Sequence, residues 1–297
     1  MSGTEGWGFT DDRGAELGAA RVPLRVAAYV RAGAALLDLG VTPVAVYGSG
    51  HDGEELDPAK AGGLRAVGVP YLGPGRALGA EALSELRPDV IVDVTYDGKS
   101  PYALDEAVAE RLGIPLVALS VSGELTLPAI LDRFAALAAS LTAAPGRSAS
   151  GAESAVGPVP AAPASESVPA PDLAAAEALL RSVAAGGGVA VLALSGAGTE
   201  QVHLARPQAW PELAHLAGLG VRLLDPGPGP GANWLTGDWA GVAELRPDLV
   251  LFDEREHATP PYALPSGVRL APWNPETPPS PAAYARFFRD LAEALAA

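Results

Sequence analysis

The sequence predicts an α/β protein made of two similar lobes, each with an open and mainly parallel sheet. Short apolar segments alternate with helical segments along most of the chain, and most apolar segments are nonpolar on both faces. That pattern is typical of parallel strands covered by helices on both sides. The stretch ELRPDVIVDVTYDG at 85–98 is echoed by ELRPDLVLFDEREH at 244–257, which indicates a repeated lobe. With 297 residues and 48% hydrophobic content, the chain is long enough for two compact units.

The first half begins with a turn in FTDDRG, followed by the short apolar strand PLRVAAYV. A helix over RAGAALLDLG ends at Gly40, where a glycine suits a helix C-cap. The alternation then continues through VTPVAVYG, GVPYLG, GAEALSELRPD, VIVDVTY, ALDEAVAERLG and IPLVALSVSG. These segments predict the first α/β lobe.

The second half repeats this order of elements. The strands are GVAVLALSG, VRLLDPG and LVLFDE, and the helices between them are AWPELAHLAGLG and WAGVAELRPD. In each LRPD the proline follows the end of a helix, where it cannot continue the hydrogen-bond ladder, and the aspartate opens a buried strand. The matched order of neighbours favours duplication over chance convergence of helix-to-strand connections.

Two helices are predicted between the lobes. LTLPAILDRFAALAASL is helical by the apolar spacing of Leu127, Ile130, Leu131, Phe134, Leu137 and Leu141, and PDLAAAEALLRSVAA follows it. Residues 143–171 separate them and contain 23 Ala, Pro, Ser or Gly among 29. Such a segment buries too little apolar surface to offset its ordering entropy. We expect a mobile insertion that proteases cleave while sparing both lobes.

Composition excludes several classes of function. A formal net charge of -15 without clustered Lys or Arg argues against nucleic acid and anionic membranes as partners. The absence of cysteine excludes disulfides, thiol catalysis and thiolate metal sites, without fixing the compartment. No apolar run approaches the roughly 18 to 20 residues of a membrane span, and MSGTEGWGFTDDRG has no basic or apolar region of an export signal.

Local motifs favour no catalytic chemistry. GSGHDG at 48–53 matches the dinucleotide fingerprint formally, but it follows the second strand and leads into no clear helix, so a flexible turn is expected. HDGEE and DEREH offer His51, Glu254 and His257 as ligands of a metal-dependent enzyme, against solvated loop charges as the simpler interpretation. Ser195 ends a strand, but no base lies near it in the sequence.

Aromatic and hydrogen-bonding side chains concentrate near the predicted strand ends. In open α/β sheets the ligand crevice lies beyond the carboxyl ends of the strands, so these residues are expected to line a cleft between the lobes. The predicted binding residues are Tyr29, Arg31, Tyr47, His51, Tyr71, Arg76, Tyr96, Lys99, Trp234, Arg255 and Trp273.

The order of segments resembles the substrate-binding proteins of ABC importers for ferric siderophores and related large ligands. The resemblance covers nearly the whole chain, and its carriers are FTDDRG with PLRVAAYV, AGAALLDLGVTPVAVYG, YLGPGRALGAEALSELRPDVIV, the central helix and NWLTGDWAGVAELRPDLVLFDE. It implies two Rossmann-like lobes, 1–123 and 187–297, around a ligand cleft. They would be joined at 124–186 by a long connecting helix that the insertion at 143–171 interrupts.

The resemblance also implies a non-enzymatic function and a ligand site. Arg76 and Tyr96 are similar to ligand contacts of hydroxamate-binding members, and Trp234 and Trp273 to aromatics of the second lobe. An Arg can donate to hydroxamate oxygens while aromatic walls pack on the apolar body of the ligand. Hydroxamate is preferred because few basic residues face the predicted cleft, whereas a trianionic catecholate complex favours several. Iron would come with the siderophore, so no cofactor is expected.

Partners and compartment follow from the same resemblance. Docking to an ABC permease is expected through the first-lobe surface and Glu212. At the position of the first helix where the family usually has the acidic docking residue, this chain has Ala34. Asp38 is the only acidic residue of that helix, which leaves Glu212 as the acidic candidate in the second lobe. A monomer outside the cytoplasm is expected, although without an export signal in this sequence a cytoplasmic location stays open. A cobalamin or bare-metal importer component and an intracellular metabolite-binding relative also remain alternatives.

Overall fold

The computed structural model describes residues 6–143, 172–261 and 264–297. In the first lobe, five parallel strands form a sheet in the order β5-β4-β3-β6-β7. Ahead of it, β1 (Trp7–Thr10) and β2 (Glu16–Ala19) form an antiparallel hairpin. The sheet strands are β3 (Val26–Tyr29), β4 (Ala45–Gly48), β5 (Tyr71–Pro74), β6 (Val90–Thr95) and β7 (Leu116–Ser120). The helices are α1 (Val30–Asp38), α2 (Pro58–Ala61), α3 (Ala80–Leu86) and α4 (Glu106–Leu112).

The second lobe has a mixed sheet, in the order β11-β9-β8-β12-β13 with β10 paired to β8. Its strands are β8 (Ala190–Gly196), β9 (Gln201–Ala205), β10 (Arg222–Leu223), β11 (Trp234–Asp238), β12 (Leu249–Asp253) and β13 (Arg269–Trp273). Its helices are α7 (Pro211–Gly218), α8 (Trp239–Leu245) and α9 (Pro281–Ala296). β9 and β11 are antiparallel to their neighbours and were not predicted. The connection from β8 to β9 is too short for a crossover, so the chain turns back beside its own strand.

Two further helices lie between the lobes in the chain, α5 (Leu127–Thr142) and α6 (Leu173–Gly186). Leu127 and Leu131 at the start of α5 pack in the core of the second lobe, while Phe134 and Leu137 pack in the core of the first. α6 packs along α9. The predicted insertion at 143–171 lies outside the described residues except for Ala143. The proposal that α5 and α6 continue one connecting helix therefore stays a prediction, as do the domain boundaries.

The repeated LRPD segments form the same structure in both lobes. α3 and α8 each end at a left-handed arginine, Arg87 with φ 46° and Arg246 with φ 51°. The aspartate two residues later accepts a backbone N–H at the start of a neighbouring strand region. Asp89 Oδ2 accepts from the N–H groups of Leu24 and Arg25, and Asp248 Oδ2 accepts from Ala190 at 2.7 Å. The sequence echo thus encodes one helix-to-strand connection that is used twice.

A buried segment, 274–280, runs from β13 to α9 and packs between the lobes. The Asn274 side-chain amide donates to the Ala59 carbonyl of the first lobe at 2.6 Å. The Ser280 hydroxyl donates to Asp38 at the end of α1, while its oxygen accepts the N–H of Ala283 and caps α9. Across the described residues, no helix is long and apolar enough to cross a membrane.

Candidate functional site

Glu276 lies at the centre of a polar interface where the carboxyl ends of the two sheets face each other. The residue is 3% exposed. Its Oε2 accepts from the Tyr29 hydroxyl at 2.5 Å and from Lys60 Nζ at 2.9 Å, and its Oε1 accepts from Arg255 Nη1 at 2.8 Å. Tyr29 and Lys60 belong to the first lobe and Arg255 to the second. The three donors therefore join the lobes through one carboxylate.

Both cations that contact Glu276 have a second carboxylate partner. Lys60 Nζ also contacts Asp52 Oδ1 at 2.7 Å, and Arg255 holds Asp253 through Nε at 2.9 Å and Nη2 at 2.7 Å. Asp253 in turn accepts from the Ser195 hydroxyl at 2.8 Å. Buried charges are tolerated only when they are paired and hydrogen-bonded. Ser195 is therefore a buried hydroxyl that helps to satisfy Asp253, a carboxylate already held by Arg255.

Arg31, at the start of α1, contacts both lobes and is almost fully buried. Its Nη1 donates to the Tyr96 hydroxyl at 3.0 Å and its Nε to the Thr277 carbonyl at 3.2 Å. Glu212, which is 1% exposed, lies near enough to favour the charged form of Arg31. Burial raises the pKa of Glu212. Arg31 and the nearby Trp273 indole act in the opposite direction, but they do not cancel the rise. Within the described chain, Glu212 Oε1 and Trp273 Nε1 have no hydrogen-bond partner of good geometry.

A buried carboxylate in the first lobe shapes the loop that follows β6. Asp93 accepts from the N–H groups of Ala103 and Leu104 and from the Tyr47 hydroxyl at 3.2 Å. Burial raises the pKa of Asp93 to about 6, against the backbone hydrogen bonds that favour its charged form. These contacts hold the end of the loop, at Ala103 and Leu104, beside β6. They therefore fix the position of the adjacent Tyr102.

Tyrosines line the first-lobe side of the interface. Tyr102 packs edge-on against Tyr96 with ring centres 4.8 Å apart, and against Tyr29 at 5.7 Å. Tyr96 and Tyr102 are partly exposed, whereas Tyr29 and Tyr47 are fully buried. Burial raises the pKa of Tyr102 to about 12, so its hydroxyl stays a neutral donor at physiological pH. The partly exposed pair forms an aromatic wall with two hydroxyl groups.

Tryptophans form a matching cluster in the second lobe. Trp210 lies 4.9 Å from Trp234 and 5.5 Å from Trp273 between ring centres, and His203 lies 6.3 Å from Trp234. Trp234 is partly exposed, but Trp273 is fully buried beneath it. Only the outer part of this cluster is available to a ligand.

The rim of the interface carries the exposed members of the predicted set. Arg76 is exposed, and its Nη2 donates to the Tyr102 carbonyl at 3.4 Å, beside the tyrosine wall. Lys99 is exposed on the same loop as Tyr102. Tyr71 is half-buried and donates to the Gly53 carbonyl at 3.0 Å, so it anchors the loop after β4.

His51 of the first lobe and His257 of the second meet with ring centres 6.1 Å apart. Both residues are exposed by surface area. The pKa of His257 is nevertheless lowered, because neighbouring groups partly desolvate its ring and Arg255 lies nearby. Among the residues in 6–143, 172–261 and 264–297, no group of three or more His, Asp or Glu is placed to hold a metal ion. The loop of His51 is a turn, and α2 begins only at Pro58, so no helix starts at GSGHDG.

Two interlobe cavities flank the buried network. One of about 510 Å³ is lined by Glu254, Asp57, Arg286 and Asp290, and burial together with neighbouring carboxylates raises the pKa of Glu254. The other, of about 470 Å³, opens beside the start of α5 and α7. Neither is lined by a residue of the predicted binding set.

Several predicted roles are wrong because of burial. Tyr29, Tyr47 and Trp273 are enclosed in packed cores, and no surface of theirs is free for a ligand. The guanidinium groups of Arg31 and Arg255 are already hydrogen-bonded to other side chains of the interface. Glu212 cannot dock a permease, because it lies beneath the surface at the start of α7; Ala34 is also buried. Arg76, Lys99, Tyr96 and Trp234 are accessible or partly accessible, and their role in ligand binding stays a prediction.

Sequence reasoning missed Tyr102, Lys60, Trp210 and Glu276. Tyr102 follows the β6 strand by seven residues, in a loop whose return depends on Asp93. Glu276 lies in NPETPPS, which has no periodicity that marks it as buried. A useful signal was available only for Trp210, which opens the helix AWPELAHLAGLG beside a predicted crossover.

Comparisons with known proteins give a likeness of fold. No protein-family model matches the chain, and a search of curated proteins finds no relative. Among solved structures, DesE, a ferric-siderophore receptor protein from Streptomyces coelicolor, has a TM-score of 0.76 at 23% identity and covers 98% of each chain. The heme-binding protein RhuT from Roseiflexus sp. RS-1 has a TM-score of 0.57 at 16% identity, covering 92% of this chain and 97% of its own.

A siderophore periplasmic binding protein of Thermobifida fusca has a TM-score of 0.56 at 14% identity, covering 92% of this chain and 96% of its own. All three solved structures are periplasmic or receptor binding proteins by name, and their likeness extends over both lobes. The two-lobed fold that the sequence resemblance implied is confirmed.

Proposed function

We propose that this protein binds a ferric siderophore between its lobes and delivers it to an ABC importer outside the cytoplasm. The observation that carries the proposal is a partly exposed aromatic surface in each lobe. Arg76, Tyr96 and Tyr102 lie beyond the carboxyl ends of the first sheet, and Trp234, at the start of β11, packs on Trp273 at the carboxyl end of β13. Open α/β sheets bind ligands at the carboxyl ends of their strands. Aromatic surfaces and a few directional donors suit a large ligand with an apolar body.

The charge balance favours a hydroxamate over a catecholate. Lys60, Arg31 and Arg255 are the buried cations nearest the site, and each already lies beside carboxylates such as Glu276, Asp52 or Glu212. Arg76 and Lys99 are left on the exposed rim. A trianionic ferric catecholate would meet too little free positive charge on a chain of net charge -15. A ferric trihydroxamate, which carries little charge, fits this balance.

The likeness to DesE supports a ferric siderophore as the ligand, without indicating its chemical type. Its name describes a ferric-siderophore receptor, and its TM-score of 0.76 exceeds those of the heme-binding RhuT at 0.57 and the Thermobifida protein at 0.56. The solved structures of similar fold are named as binding or receptor proteins, which supports a non-enzymatic role. The alternative enzyme built on His51, Glu254 and His257 gains no support, because Glu254 faces the 510 Å³ cavity and no three-ligand group is present in the described ranges.

The test is tryptophan fluorescence quenching with a panel of ligands. The panel contains a ferric trihydroxamate, its iron-free form, a ferric triscatecholate, haem, cobalamin and free ferric iron. We expect saturable quenching by the ferric trihydroxamate at submicromolar concentration, because Trp234 is partly exposed in the site. The iron-free form should quench far less. No quenching by any ferric siderophore would overturn the proposal, and tighter quenching by haem or cobalamin would reassign the ligand.

Arg76→Ala tests the proposed contact directly. We expect about a tenfold weaker affinity, since a charge-assisted hydrogen bond contributes about 1.5 kcal/mol. The matched control is Arg21→Ala, because Arg21 is an exposed arginine that pairs with Asp89 at the opposite edge of the sheet. Unchanged affinity in Arg76→Ala would remove Arg76 from the site while leaving the ligand assignment to the panel.

A further inference from the structure

Two exposed histidines face each other across the junction of the lobes. His51 follows β4 in the first lobe and His257 follows β12 in the second, 206 positions apart by their numbers. Their ring centres are 6.1 Å apart and the rings are inclined by 35°. No hydrogen bond joins either ring to another residue in the described part of the chain. The ring nitrogens are therefore open to an external partner.

Both loops are anchored close to these histidines. The His51 N–H donates to Ser49 Oγ at 3.2 Å, and the next residue, Asp52, is held by Lys60 at 2.7 Å. On the other side, the N–H of Glu256 donates to Asp57 Oδ2 of the first lobe at 3.0 Å. The two backbones are thus tied to each other independently of the rings. This reduces the entropy lost when the imidazoles adopt one geometry.

The separation suits two ligands of one metal ion. Metal–nitrogen bonds are about 2.0 to 2.1 Å long, so the centres of two imidazole rings on one ion lie roughly 6.4 Å apart when the nitrogens are opposite each other and about 5.2 Å apart in tetrahedral geometry. The observed 6.1 Å is near the first arrangement, which square-planar or tetragonal Cu²⁺ and Ni²⁺ adopt, and a small rotation of the exposed rings reaches the second. Neutral imidazole is a good ligand for Zn, Cu and Ni. The net charge of -15 attracts cations to the surface in general.

We propose that His51 and His257 form a binding site for a divalent transition metal that bridges the two lobes. The protein supplies two nitrogen ligands, and water fills the remaining positions. The ion would strengthen the junction beside the cleft, since a ligand bound only by the assembled lobes stabilises that arrangement. This site uses neither Arg76 nor Trp234, so it stands whether or not the siderophore proposal does.

The test is calorimetric titration of metal-free protein with Zn²⁺ and Ni²⁺ at neutral pH, in a non-chelating buffer and without siderophore. We expect one equivalent of metal to bind with micromolar affinity. His51→Ala and His257→Ala should each weaken binding by roughly tenfold or more, because each removes one of two ligands. The matched control is His203→Ala, since His203 belongs to β9 and contacts Thr236 instead.

Thermal unfolding provides the second measurement. Zinc at a concentration that saturates the wild-type site should raise the unfolding midpoint in wild type and in His203→Ala, and it should raise it clearly less in His51→Ala and His257→Ala. All variants, including the control, retain the anchored loops, because the ring of neither His51 nor His257 takes part in those contacts. Binding that survives in either single variant at wild-type strength would overturn the bridge and indicate independent surface histidines.

Discussion

Glu276 accepts hydrogen bonds from both lobes at once, from Tyr29 and Lys60 on one side and Arg255 on the other. Burial opposes its ionisation, yet Lys60 and Arg255 lower the pKa of Glu276 to about 2. The folded protein therefore prefers the charged form more strongly than the unfolded chain does. This preference links the stability of the interface to pH.

Acidification should weaken the fold through this residue. Because the pKa is depressed from 4.5 in the unfolded chain, its contribution is fully present above about pH 4.5 and is lost as pH falls towards about 2. Glu276→Gln should lower the free energy of unfolding by about 3 kcal/mol at pH 7, because Lys60 and Arg255 each lose a charged partner. Denaturant unfolding of wild type and variant at several pH values is the measurement.

The difference in free energy of unfolding between wild type and Glu276→Gln should shrink as pH falls from 4.5 to 2. Over this range the wild-type carboxylate becomes neutral, like the amide of the variant. A difference that stays constant over this range would contradict the role of Glu276 ionisation. Other carboxylates titrate in both proteins and cancel in the comparison.

At the scale of elements, the helix-to-strand connections of the two lobes do the same structural task. A left-handed arginine ends each helix, a proline follows, and an aspartate accepts the N–H of a residue in the adjacent strand region. Asp89 also forms an ion pair with Arg21. Burial raises the pKa of Asp89, but the backbone N–H donors and Arg21 outweigh this effect and lower it. The carboxylates fix the register between each helix end and the sheet.

Removing either carboxylate should destabilise its own lobe. Asp248→Ala leaves the N–H of Ala190, at the start of β8, without its acceptor, and we expect a loss of about 1 kcal/mol. Asp89→Ala should cost at least as much, because Leu24 and Arg25 both donate to it. Chemical denaturation measures both changes. The control, Glu244→Ala, alters an exposed residue of α8; an equal loss there would show that the carboxylates carry no special role.

At the scale of the whole molecule, the lobes are joined by a packed segment and a charge network. The segment 274–280 leaves the second lobe, contacts Ala59 and Asp38 of the first, and returns as α9. α5 adds side chains to both hydrophobic cores. These contacts bury polar groups that neither lobe satisfies alone.

The lobes should therefore unfold together. Differential scanning calorimetry of wild type at pH 7 should give one transition, with equal calorimetric and van't Hoff enthalpies. Glu276→Gln should broaden the transition or divide it in two, because it weakens the contacts between lobes more than those within them. Two resolved transitions in wild type would contradict the coupling inferred from the interface.

The amino-acid sequence by itself determined the two α/β lobes, the order of most strands and helices, and the repeated connection at Arg87 and Arg246. These features depend on local periodicity and turn chemistry, which neighbouring residues decide. The sequence also placed polar and aromatic residues after the strands, where Arg76 and Tyr96 are accessible beyond β5 and β6; Trp234 is accessible too, but at the start of β11.

Only the tertiary structure decided which of those residues stay accessible and which hold the lobes together. Tyr29, Trp273 and Glu212 became interior groups, and Glu276 became the centre of the interface, although nothing in its local sequence marks it. His51 and His257 likewise come close together from loops of different lobes. Burial depends on how closely two sheets approach, and that distance is set by packing between residues more than 200 positions apart, which no local pattern records.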